Sequence, residues 1–364
     1  MAYEIDFLPV EEKSGDAIAL RWGNLFRREQ QQVMVVDGGW TASGECLVEH
    51  VRQRYGTNRV DYVVSSHPHD DHIQGLFPVL ESMDVGTLFI HMPWEHVPDV
   101  LNVLKDDRTT IAGTRKRLRE SFECAIELVY LARRKGIAVR EPFQGVKTPD
   151  GVMTVLGPSR DFYTQCIAAD VSGTSLDGTT KGFVQRLLEK AKAVARTAYE
   201  SWDNECLLEP SADAVAPLNH SSTILHFDFG DARALLTADA GVQALERAAS
   251  YAEVQGVDLK KCDWIQVPHH GSRRNVGPNI LNRIVGPPLP RAALATKTGM
   301  LSCAVGGEPK HPSARVTNAF FRRGAPCCPT KGVATWFHSL DAPHRSTYGP
   351  AEMIPFRETY VEEE

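Results

Sequence analysis

Three histidines and two aspartates are concentrated in the segment His67–His72, which reads HPHDDH. The chain has 13 histidines in 364 residues, and a chance match to H-x-H-x-D-H is expected in roughly one such chain in a thousand. One residue, Ser66, separates the segment from Arg59–Ser65, a run rich in β-branched residues that predicts a strand. A strand that runs into a histidine-rich loop predicts an open sheet with a chemical site at its edge.

The spacing of these side chains fits the binding of two neighbouring cations. In an extended loop, His67 and His69 project to the same side, so both imidazoles can bind one cation. Asp71 and His72 follow where the chain bends, and they can reach a second cation beside the first. Imidazole and carboxylate ligands suit Zn²⁺, Fe²⁺ or Mn²⁺ rather than Ca²⁺. The alternative is a polar surface loop that binds no metal.

Apolar stretches elsewhere predict the outline of the fold. Strands are expected at Ala17–Trp22, Gln32–Val36, Thr223–Phe229, Ala232–Thr237, Trp264–Val267, Ala292–Thr296 and Gly332–Phe337. Apolar residues at helical spacing run from Leu118 to Ala132 and from Phe183 to Trp202. Strands, then helices, then strands predict a layered α/β sandwich. We expect a single domain over residues 1–350, with a helical insertion at about 95–215 and a C-terminal tail at 351–364.

The composition excludes several classes of protein. With 42% hydrophobic and 24% charged residues, the chain is neither disordered nor a collagen-like fibre. No apolar run approaches the roughly 18 residues that cross a bilayer, and the N-terminus lacks a signal-peptide pattern, so we expect a cytoplasmic protein without membrane contact. The net charge of −6 argues mildly against tight non-specific binding of nucleic acid. The eight cysteines form no C-x-x-C pair and are expected to be small buried hydrophobic residues.

The HPHDDH segment and three further motifs resemble the metallo-β-lactamase superfamily. Asp37, in VVDGG, matches the aspartate that supports the metal loop from behind in that family. Asp239, at the end of LLTAD, matches the aspartate that usually bridges both metals. The segment VPHHGS matches the last metal-binding histidine. We take His269 as that ligand, and His270 stays open as the alternative.

The resemblance implies a four-layer αββα sandwich that binds two divalent metal ions, Zn²⁺ or Mn²⁺. The metal ligands it implies are His67, His69, Asp71, His72, Asp239 and His269. Asp71 is also a catalytic candidate that orients the attacking hydroxide, and His311 is a candidate proton donor to the leaving group. The residues expected behind the metals or at the substrate are Asp37, Asn219, His220, His270 and Ser272. Many family members complete the first metal site with another histidine; here Asn219 and His220 are both candidates.

Details of these motifs resemble one branch of the superfamily, the DNA-processing domain of ComEC competence proteins and their soluble relatives. The features are HHGS after VP, LLTADA about thirty residues earlier, the run Asn219–Ser222, and the segment Lys310–Pro312. These motifs cover roughly residues 5–90 and 220–340. Relatives begin with G-x-G-D, whereas this chain reads EEKSGD over Glu11–Asp16. No stretch suited to a membrane channel accompanies the motifs, so DNA uptake is not expected.

Three functions are compatible with this pattern. The first is a metal-dependent phosphodiesterase, above all a nuclease, that uses a metal-bound hydroxide. The second is a hydrolase of a carbon ester, thioester or lactam on the same metals. The third is a non-enzymatic interaction subunit of a larger complex, for example in phage defence. The ComEC-like motifs favour the first, for which we expect a nucleic acid or nucleotide substrate and a partner protein bound through the helical insertion.

Overall fold

The computed structural model describes residues 1–10, 14–104, 110–176, 195–305 and 311–363. Its strands are β1 (Ala2–Phe7), β2 (Ala17–Gly23), β3 (Gln31–Gly38), β4 (Arg59–Val64), β5 (Asp84–Phe89), β6 (Ala138–Arg140), β7 (Met153–Gly157), β8 (Ala195–Tyr199), β9 (Ile224–Asp228), β10 (Arg233–Leu236), β11 (Trp264–Gln266), β12 (Thr298–Leu301), β13 (Cys327–Pro329), β14 (Thr335–His338) and β15 (Thr359–Glu363).

The helices alternate with these strands along much of the chain. They are α1 (Thr41–His50), α2 (Asp70–Ile73), α3 (Leu76–Ser82), α4 (Val97–Leu104), α5 (Ile111–Ser121), α6 (Glu123–Arg134), α7 (Arg160–Ser172), α8 (Pro217–His220), α9 (Val242–Val254), α10 (Pro278–Ile284) and α11 (Ala314–Arg322). Among the described residues, no helix has the length and apolar character needed to span a bilayer.

The first sheet has the strand order β14-β1-β2-β3-β4-β5-β6 in the described part of the chain. Strands β14, β1, β2 and β3 pair antiparallel, whereas β3 to β6 run parallel. Parallel neighbours need crossover connections, and α1 supplies the one between β3 and β4. The carboxyl ends of β3 and β4 therefore lie side by side, with Asp37 at the end of β3 and the HPHDDH segment just after β4.

The second sheet has the strand order β13-β12-β11-β10-β9-β7 over the residues described. Strands β10 to β13 run parallel, and β9 is antiparallel to both of its neighbours. Helices α9, α10 and α11 make the crossovers. Asp239 follows β10, and His269 and His270 follow β11, at the same edge of this sheet.

Three apolar cores separate the layers, because alternate side chains of a strand point to opposite faces of its sheet. The core between the two sheets includes Ile18, Leu20, Met34, Val36, Leu225, Phe227 and Leu236. The core between the first sheet and its helices includes Ala17, Ala19, Val33, Val35, Leu47, Leu76 and Leu128. The core between the second sheet and its helices includes Leu235, Ile265, Leu301, Ala244, Ile280 and Phe320. The predicted αββα sandwich is confirmed.

Several of the local predictions are confirmed and others are wrong. The stripe from Leu118 to Ala132 is buried as predicted, but it is divided between α5 and α6. The strand predicted at Ala292–Thr296 is wrong: Leu294 is 85% exposed, and β12 begins at Thr298. Five of the eight cysteines are buried, but Cys46 is exposed.

The second predicted helical stripe, Phe183 to Trp202, falls mostly outside the described residues, which resume at residue 195. Its last part is not helical, because Ala198 lies in β8 and pairs with Tyr360 of β15. Helical spacing cannot reveal such a pairing, since it depends on a distant partner strand.

The stretch 95–215 contains helices α4 to α7, but it also contributes strands to the fold. Strand β6 forms one edge of the first sheet, and strand β7 forms one edge of the second. Strand β8 pairs with β15 near the C-terminus. The hydroxyl of Tyr360, a buried residue of β15, donates a hydrogen bond to Glu200 Oε2 at 2.6 Å. The last strand is therefore packed against the rest of the fold. The expected limits, a domain over residues 1–350 and a tail at 351–364, stay a prediction.

A buried charge network connects β1 to the segment after β14. The guanidinium of Arg345 lies 3.0 Å from Glu4 Oε1 and donates to Asp6 Oδ2 at 3.0 Å. The Tyr55 hydroxyl also donates to Asp6 Oδ2, at 2.7 Å. Burial alone would raise the pKa of Asp6, but His50 and Arg345 lower it to about 2. Both carboxylates therefore depend on buried partners.

We expect Arg345→Met to lower the free energy of unfolding by about 3–5 kcal/mol, because it removes the buried positive charge that faces the carboxylates of Glu4 and Asp6. Chemical denaturation near neutral pH measures this loss. The control is Arg291→Met, which breaks an exposed pair with Glu358 at 3.2 Å and should cost less than about 1 kcal/mol. Equal losses in the two variants would contradict the role of the network.

The same network predicts the sign of a pH dependence. The folded pKa of Asp6 lies below its ordinary value of 3.8. Its stabilisation is therefore present above pH 3.8 and is lost as pH falls towards the folded pKa. The difference in stability between the parent and Arg345→Met should therefore shrink between about pH 4 and pH 2.

Candidate metal centre

Four segments meet at the carboxyl ends of the parallel strands. Several of their residues have backbone angles that non-glycine residues rarely adopt: φ is 54° at Asp37, 44° at Ala238, 47° at His269 and 54° at His270. Among the described residues, only Lys331 adds another non-glycine residue with positive φ. Such conformations persist only where the surrounding structure enforces them, and they cluster at functional sites.

Close glycine packing holds the HPHDDH segment against β3. A Cβ atom at Gly38 would lie 2.3 Å from the carbonyl carbon of Gly75, and a Cβ atom at Gly75 would lie 1.9 Å from Gly38 O. No larger residue fits at either position without moving the backbone. This contact presses the helix that carries Asp71 and His72 onto the strand end that carries Asp37.

The carboxylate of Asp239 lies at the centre of the site and is 1% exposed. Its Oδ2 atom is 3.7 Å from His67 Nε2. Its Oδ1 atom is 3.5 Å from His72 Nε2 and 3.8 Å from His270 Nε2. His269 approaches from another side, with Nδ1 2.6 Å from Asp239 Oδ2. Four imidazoles thus surround one buried carboxylate.

In three of these rings, the nitrogen that points away from Asp239 is Nδ1, and it contacts an oxygen atom. His72 Nδ1 donates to Asp37 Oδ2 at 2.8 Å, and His270 Nδ1 donates to the carbonyl of Ser302 at 3.2 Å. His67 Nδ1 lies 3.0 Å from the hydroxyl of Ser66. A hydrogen bond donated by Nδ1 leaves the lone pair on Nε2, which is how metal-binding histidines are commonly oriented.

Asp37 organises this arrangement from behind. Besides accepting from His72, its carboxylate accepts the backbone N–H of Ser66 at 2.7 Å and the Ser66 hydroxyl at 2.5 Å. The same side chain thus fixes the start of the HPHDDH segment and the imidazole of His72.

The other two residues of the segment lie beside these rings. Asp71 Oδ2 lies 3.9 Å from His72 Nε2 and 3.9 Å from His270 Nε2. His69 Nδ1 lies 3.0 Å from His67 Nε2.

These side chains fit divalent metal ions. Among the described residues, His72 Nε2, His270 Nε2 and Asp239 Oδ1 are buried without a hydrogen-bond partner. Leaving such atoms without any partner is costly. Ligand atoms lie within 4.8 Å of one another in the groups His67–His72–Asp239, Asp71–His72–His270 and Asp239–His269–His270. Imidazole and carboxylate are the donors that zinc and manganese accept.

The charges at the site also favour a cation. Burial would raise the pKa of Asp239, but His269 and His72 hold it well below its ordinary value. Burial would lower the pKa of His72, but Asp239 and Asp71 hold it well above its ordinary value. Burial holds the pKa of His67 well below its ordinary value. The central carboxylate is therefore ionised, while His67 offers a neutral imidazole.

The structure separates the two neighbours Asn219 and His220. The Asn219 amide lies 3.4 Å from Asp239 Oδ2, and its own Oδ1 is buried without a partner among the described residues. His220 instead packs against Phe162 and Gly241, and burial lowers its pKa to about 4. The structure therefore brings Asn219, and not His220, to the central carboxylate.

Residues 268–275, which follow β11, are called the histidine loop below. Ser272 belongs to this loop, and His311 lies beside it. The ring of His311 is 5.6 Å from that of His269. Burial, together with the positive charges of His269, His270 and Arg274, lowers its pKa to about 3. The Ser272 hydroxyl accepts the backbone N–H of Arg274 at 3.3 Å. Lys310 of the expected K-H-P segment and residues 11–13 of the entry loop lie outside the described part of the chain.

A comparison with family models gives one match, to the metallo-beta-lactamase superfamily, over residues 25–107. The matched stretch contains Asp37 and the whole HPHDDH segment, whose geometry is described above. This stretch of the chain is similar to the metallo-β-lactamase superfamily. Asp239 and the histidine loop lie beyond the matched residues, in the second sheet. No curated protein matches the chain.

Several solved structures are similar to the chain at low sequence identity. A Thermotoga maritima protein described as a metallo-beta-lactamase is 13% identical, with 70% of this chain and 86% of that chain covered and a TM-score of 0.31. A diphosphatase of the PhnP family is 10% identical, covering 93% and 98%, with a TM-score of 0.37. A subclass B3 metallo-beta-lactamase from a soil metagenome library is 12% identical, covering 77% and 85%, with a TM-score of 0.32. Similarity at this level does not identify a shared activity.

Asp16 belongs to the candidate metal site, although the sequence did not single it out. It is 2% exposed and lies 3.8 Å from His72 Nδ1 and 3.8 Å from His270 Nδ1. Gln266 donates to its Oδ2 at 2.8 Å, and burial raises its pKa. The Gly15–Asp16 pair, which matches the end of the G-x-G-D segment of relatives, was the available signal.

Asn275 is a second residue that the sequence analysis missed. Its side-chain amide donates to the backbone carbonyl of Asp239 at 2.8 Å, and it is 1% exposed. This bond joins the histidine loop after β11 to the segment that follows β10. An asparagine five residues after a pair of histidines belongs to no motif, so no signal in the sequence pointed to Asn275.

Proposed function

We propose that this chain is a two-metal-dependent hydrolase that cleaves phosphodiesters, as a nuclease or a nucleotide phosphodiesterase. The observation that carries the proposal is the set of buried ring nitrogens and carboxylate oxygens that converge around Asp239 without hydrogen-bond partners among the described residues. The residues proposed to hold the metals, Zn²⁺ or Mn²⁺, are His67, His69, Asp71, His72, Asp239 and His270.

We choose His270 over His269 as the ligand from the second histidine loop. Nδ1 of His270 is engaged by the Ser302 carbonyl, and its buried Nε2 lies 3.9 Å from Asp71 Oδ2. His269 already uses Nδ1 to contact Asp239 and is 31% exposed. A partly exposed ring beside the central carboxylate is better suited to support that carboxylate and to face the substrate.

Two bound metal ions would acidify a water molecule for attack and stabilise the developing charge on the phosphoryl group. The chain's own residues position the reacting groups. Asp37 fixes the ring of His72 and the start of the loop, and Asn275 fixes the backbone of Asp239. Asp71, 25% exposed, is proposed to orient the attacking oxygen. His311, beside His269, is proposed to donate a hydrogen bond to the departing oxygen.

The choice of a phosphodiester rests on the ComEC-like motifs, and membership of that branch is part of the proposal. Three residues of these motifs lie close together. Asn219 and His269 lie beside Asp239, and His311 lies beside His269. Arg273 and Arg274, which follow the histidine loop, would favour an anionic substrate. A cytoplasmic location and a partner protein bound through residues 95–215 are further parts of the proposal.

The test compares substrate classes with the same preparation. The metal-loaded chain is incubated with bis-p-nitrophenyl phosphate, a thioester and nitrocefin. We expect the phosphodiester to be hydrolysed with a kcat/KM at least about 100-fold above the other two. Faster cleavage of the thioester or of nitrocefin would overturn the phosphodiester assignment. Single- and double-stranded DNA and RNA then distinguish a nuclease from an enzyme for small nucleotides.

A further inference from the structure

A cleft with three arginines opens beside the histidine loop. Its volume is about 320 Å³, and its lining includes Leu207, Glu209, Ser211, Arg273, Arg274 and Arg315. Three chain segments meet there: residues 207–214, the end of the histidine loop and the first turn of α11. The proposed function uses Arg273 and Arg274 only as charges that favour an anionic substrate, and it gives the cleft itself no role.

The arginines are connected to the metal centre by short stretches of chain. Arg273 and Arg274 come three and four residues after His270, and Arg315 comes four residues after His311. Gly271 O accepts the backbone N–H of Ser313 at 3.0 Å, which ties the histidine loop to the start of α11. The cleft is therefore adjacent to the proposed site of cleavage.

The charge of the cleft is positive, although the chain has a net charge of −6. Among the lining residues, three guanidinium groups face one carboxylate, that of Glu209. This carboxylate accepts the backbone N–H of Asn279 at 2.7 Å, so one of its oxygens is directed to the start of α10. Three arginines in one cleft place positive charge beside the metal centre of an acidic protein, and Arg273 and Arg315 have further interactions of their own.

Guanidinium groups match the chemistry of phosphate. Each presents several N–H donors in a planar fork, which binds two phosphate oxygens at once. Arg273 and Arg315 are half-buried and Arg274 is exposed. The cleft thus offers guanidinium groups both at its wall and towards solvent.

We propose that this arginine cleft, defined by Arg273, Arg274 and Arg315, binds a second phosphate of the substrate while the metal centre holds the phosphodiester that is cleaved. This inference rests on the proposed function and narrows its substrate class. The substrate carries at least two phosphates in one molecule, as in an oligonucleotide or a nucleotide with a further phosphate. An isolated phosphodiester occupies the metal centre alone.

The kinetic test uses two substrates that differ in the second phosphate. Bis-p-nitrophenyl phosphate has one phosphate, and 5′-phosphorylated dithymidylate has a second one. The ratio of kcat/KM for the dinucleotide to that for bis-p-nitrophenyl phosphate should fall at least about 100-fold in the triple variant Arg273→Gln, Arg274→Gln, Arg315→Gln, since each charge-assisted contact contributes about tenfold. The loss should appear mainly in KM. The matched control, Arg291→Gln, should leave this ratio within about twofold of the parent.

A binding measurement makes the test independent of turnover. Calorimetry compares thymidine 3′,5′-bisphosphate with thymidine 5′-phosphate on the metal-loaded parent and the variants. The parent should bind the bisphosphate at least about tenfold more tightly, and the triple variant should lose this preference. If the triple variant does not fold, as judged by circular dichroism, the single variant Arg274→Gln at the exposed position is expected to lose part of the preference.

The outcomes separate the two proposals. If the parent hydrolyses bis-p-nitrophenyl phosphate but the folded variants keep the full preference for the bisphosphate, the arginine cleft is overturned and the proposed function stands. If no phosphodiester is hydrolysed but the preference is lost in the variants, the cleft stands and the proposed function fails.

Discussion

Replacing Asp239 by asparagine is expected to lower kcat/KM for bis-p-nitrophenyl phosphate at least about 10³-fold. The Asp239 carboxylate contacts His269 and lies within 4 Å of His67, His72 and His270. Asparagine keeps the shape of the side chain but removes the negative charge that two cations would share. Bound metals contribute several kcal/mol to transition-state stabilisation, and each 1.36 kcal/mol corresponds to about tenfold in rate.

The matched control is Asp228→Asn. Asp228 lies at the end of β9, and its carboxylate pairs with Arg233 at the surface, where it is 42% exposed. This variant should retain activity within about twofold of the parent, since an exposed pair contributes little. Circular dichroism checks that both variants are folded. Activity of a folded Asp239→Asn variant within tenfold of the parent would remove Asp239 from the reaction.

The second large effect distinguishes the two adjacent histidines after β11. We expect His270→Gln to retain about one metal ion per chain after gel filtration, because one set of ligands loses its imidazole. His269→Gln should retain the metal content of the parent, with an affinity reduced by about 10–100-fold, as is common for residues that orient a ligand. Inductively coupled plasma mass spectrometry measures both contents.

The reverse result would assign the ligand to His269. If His269→Gln loses a metal ion while His270→Gln keeps the full content, the hydrogen bond from His270 to the Ser302 carbonyl has only a structural role. Ser302→Ala provides no further test, since the acceptor is a backbone carbonyl.

Much of the fold could be predicted because local pattern and tertiary burial agree. In β2 and β3 almost every residue is buried, and alternate side chains fill the two cores on either side of the first sheet. Apolar runs bounded by glycine therefore predicted both strands. The pairing of β8 with β15 joins segments about 160 residues apart along the chain, and no local pattern encodes such a contact.

The candidate site was predictable in its residue types but not in its orientations. The H-x-H-x-D-H spacing brought His67 and His72 to the site, and both lie there. The directions of the His269 and His270 side chains depend on two successive positive φ angles. A prediction that treats this segment as an extended chain does not include such angles. Asn219 and His220 are neighbours in α8, and successive helical residues point about 100° apart, so only the fold decides which one reaches Asp239.

Asp16 shows why a partial motif can be overlooked. Its loop departs from the pattern of relatives before Gly15, yet the Gly15–Asp16 pair itself is retained. A Cβ atom at Gly15 would lie 2.5 Å from the carbonyl oxygen of Asp71. The close backbone contact explains why glycine stands there, and it brings the buried carboxylate of Asp16 behind His72 and His270.

The metal content of the unsubstituted chain shows whether the residues around Asp239 bind two metal ions. The purified chain is loaded with Mn²⁺ or Zn²⁺, passed through gel filtration and analysed by inductively coupled plasma mass spectrometry beside Asp239→Asn. We expect about two metal ions per parent chain and less than about one per chain of the folded variant. A folded parent chain that retains no metal, or a variant that retains as much as the parent, would contradict the two-metal site.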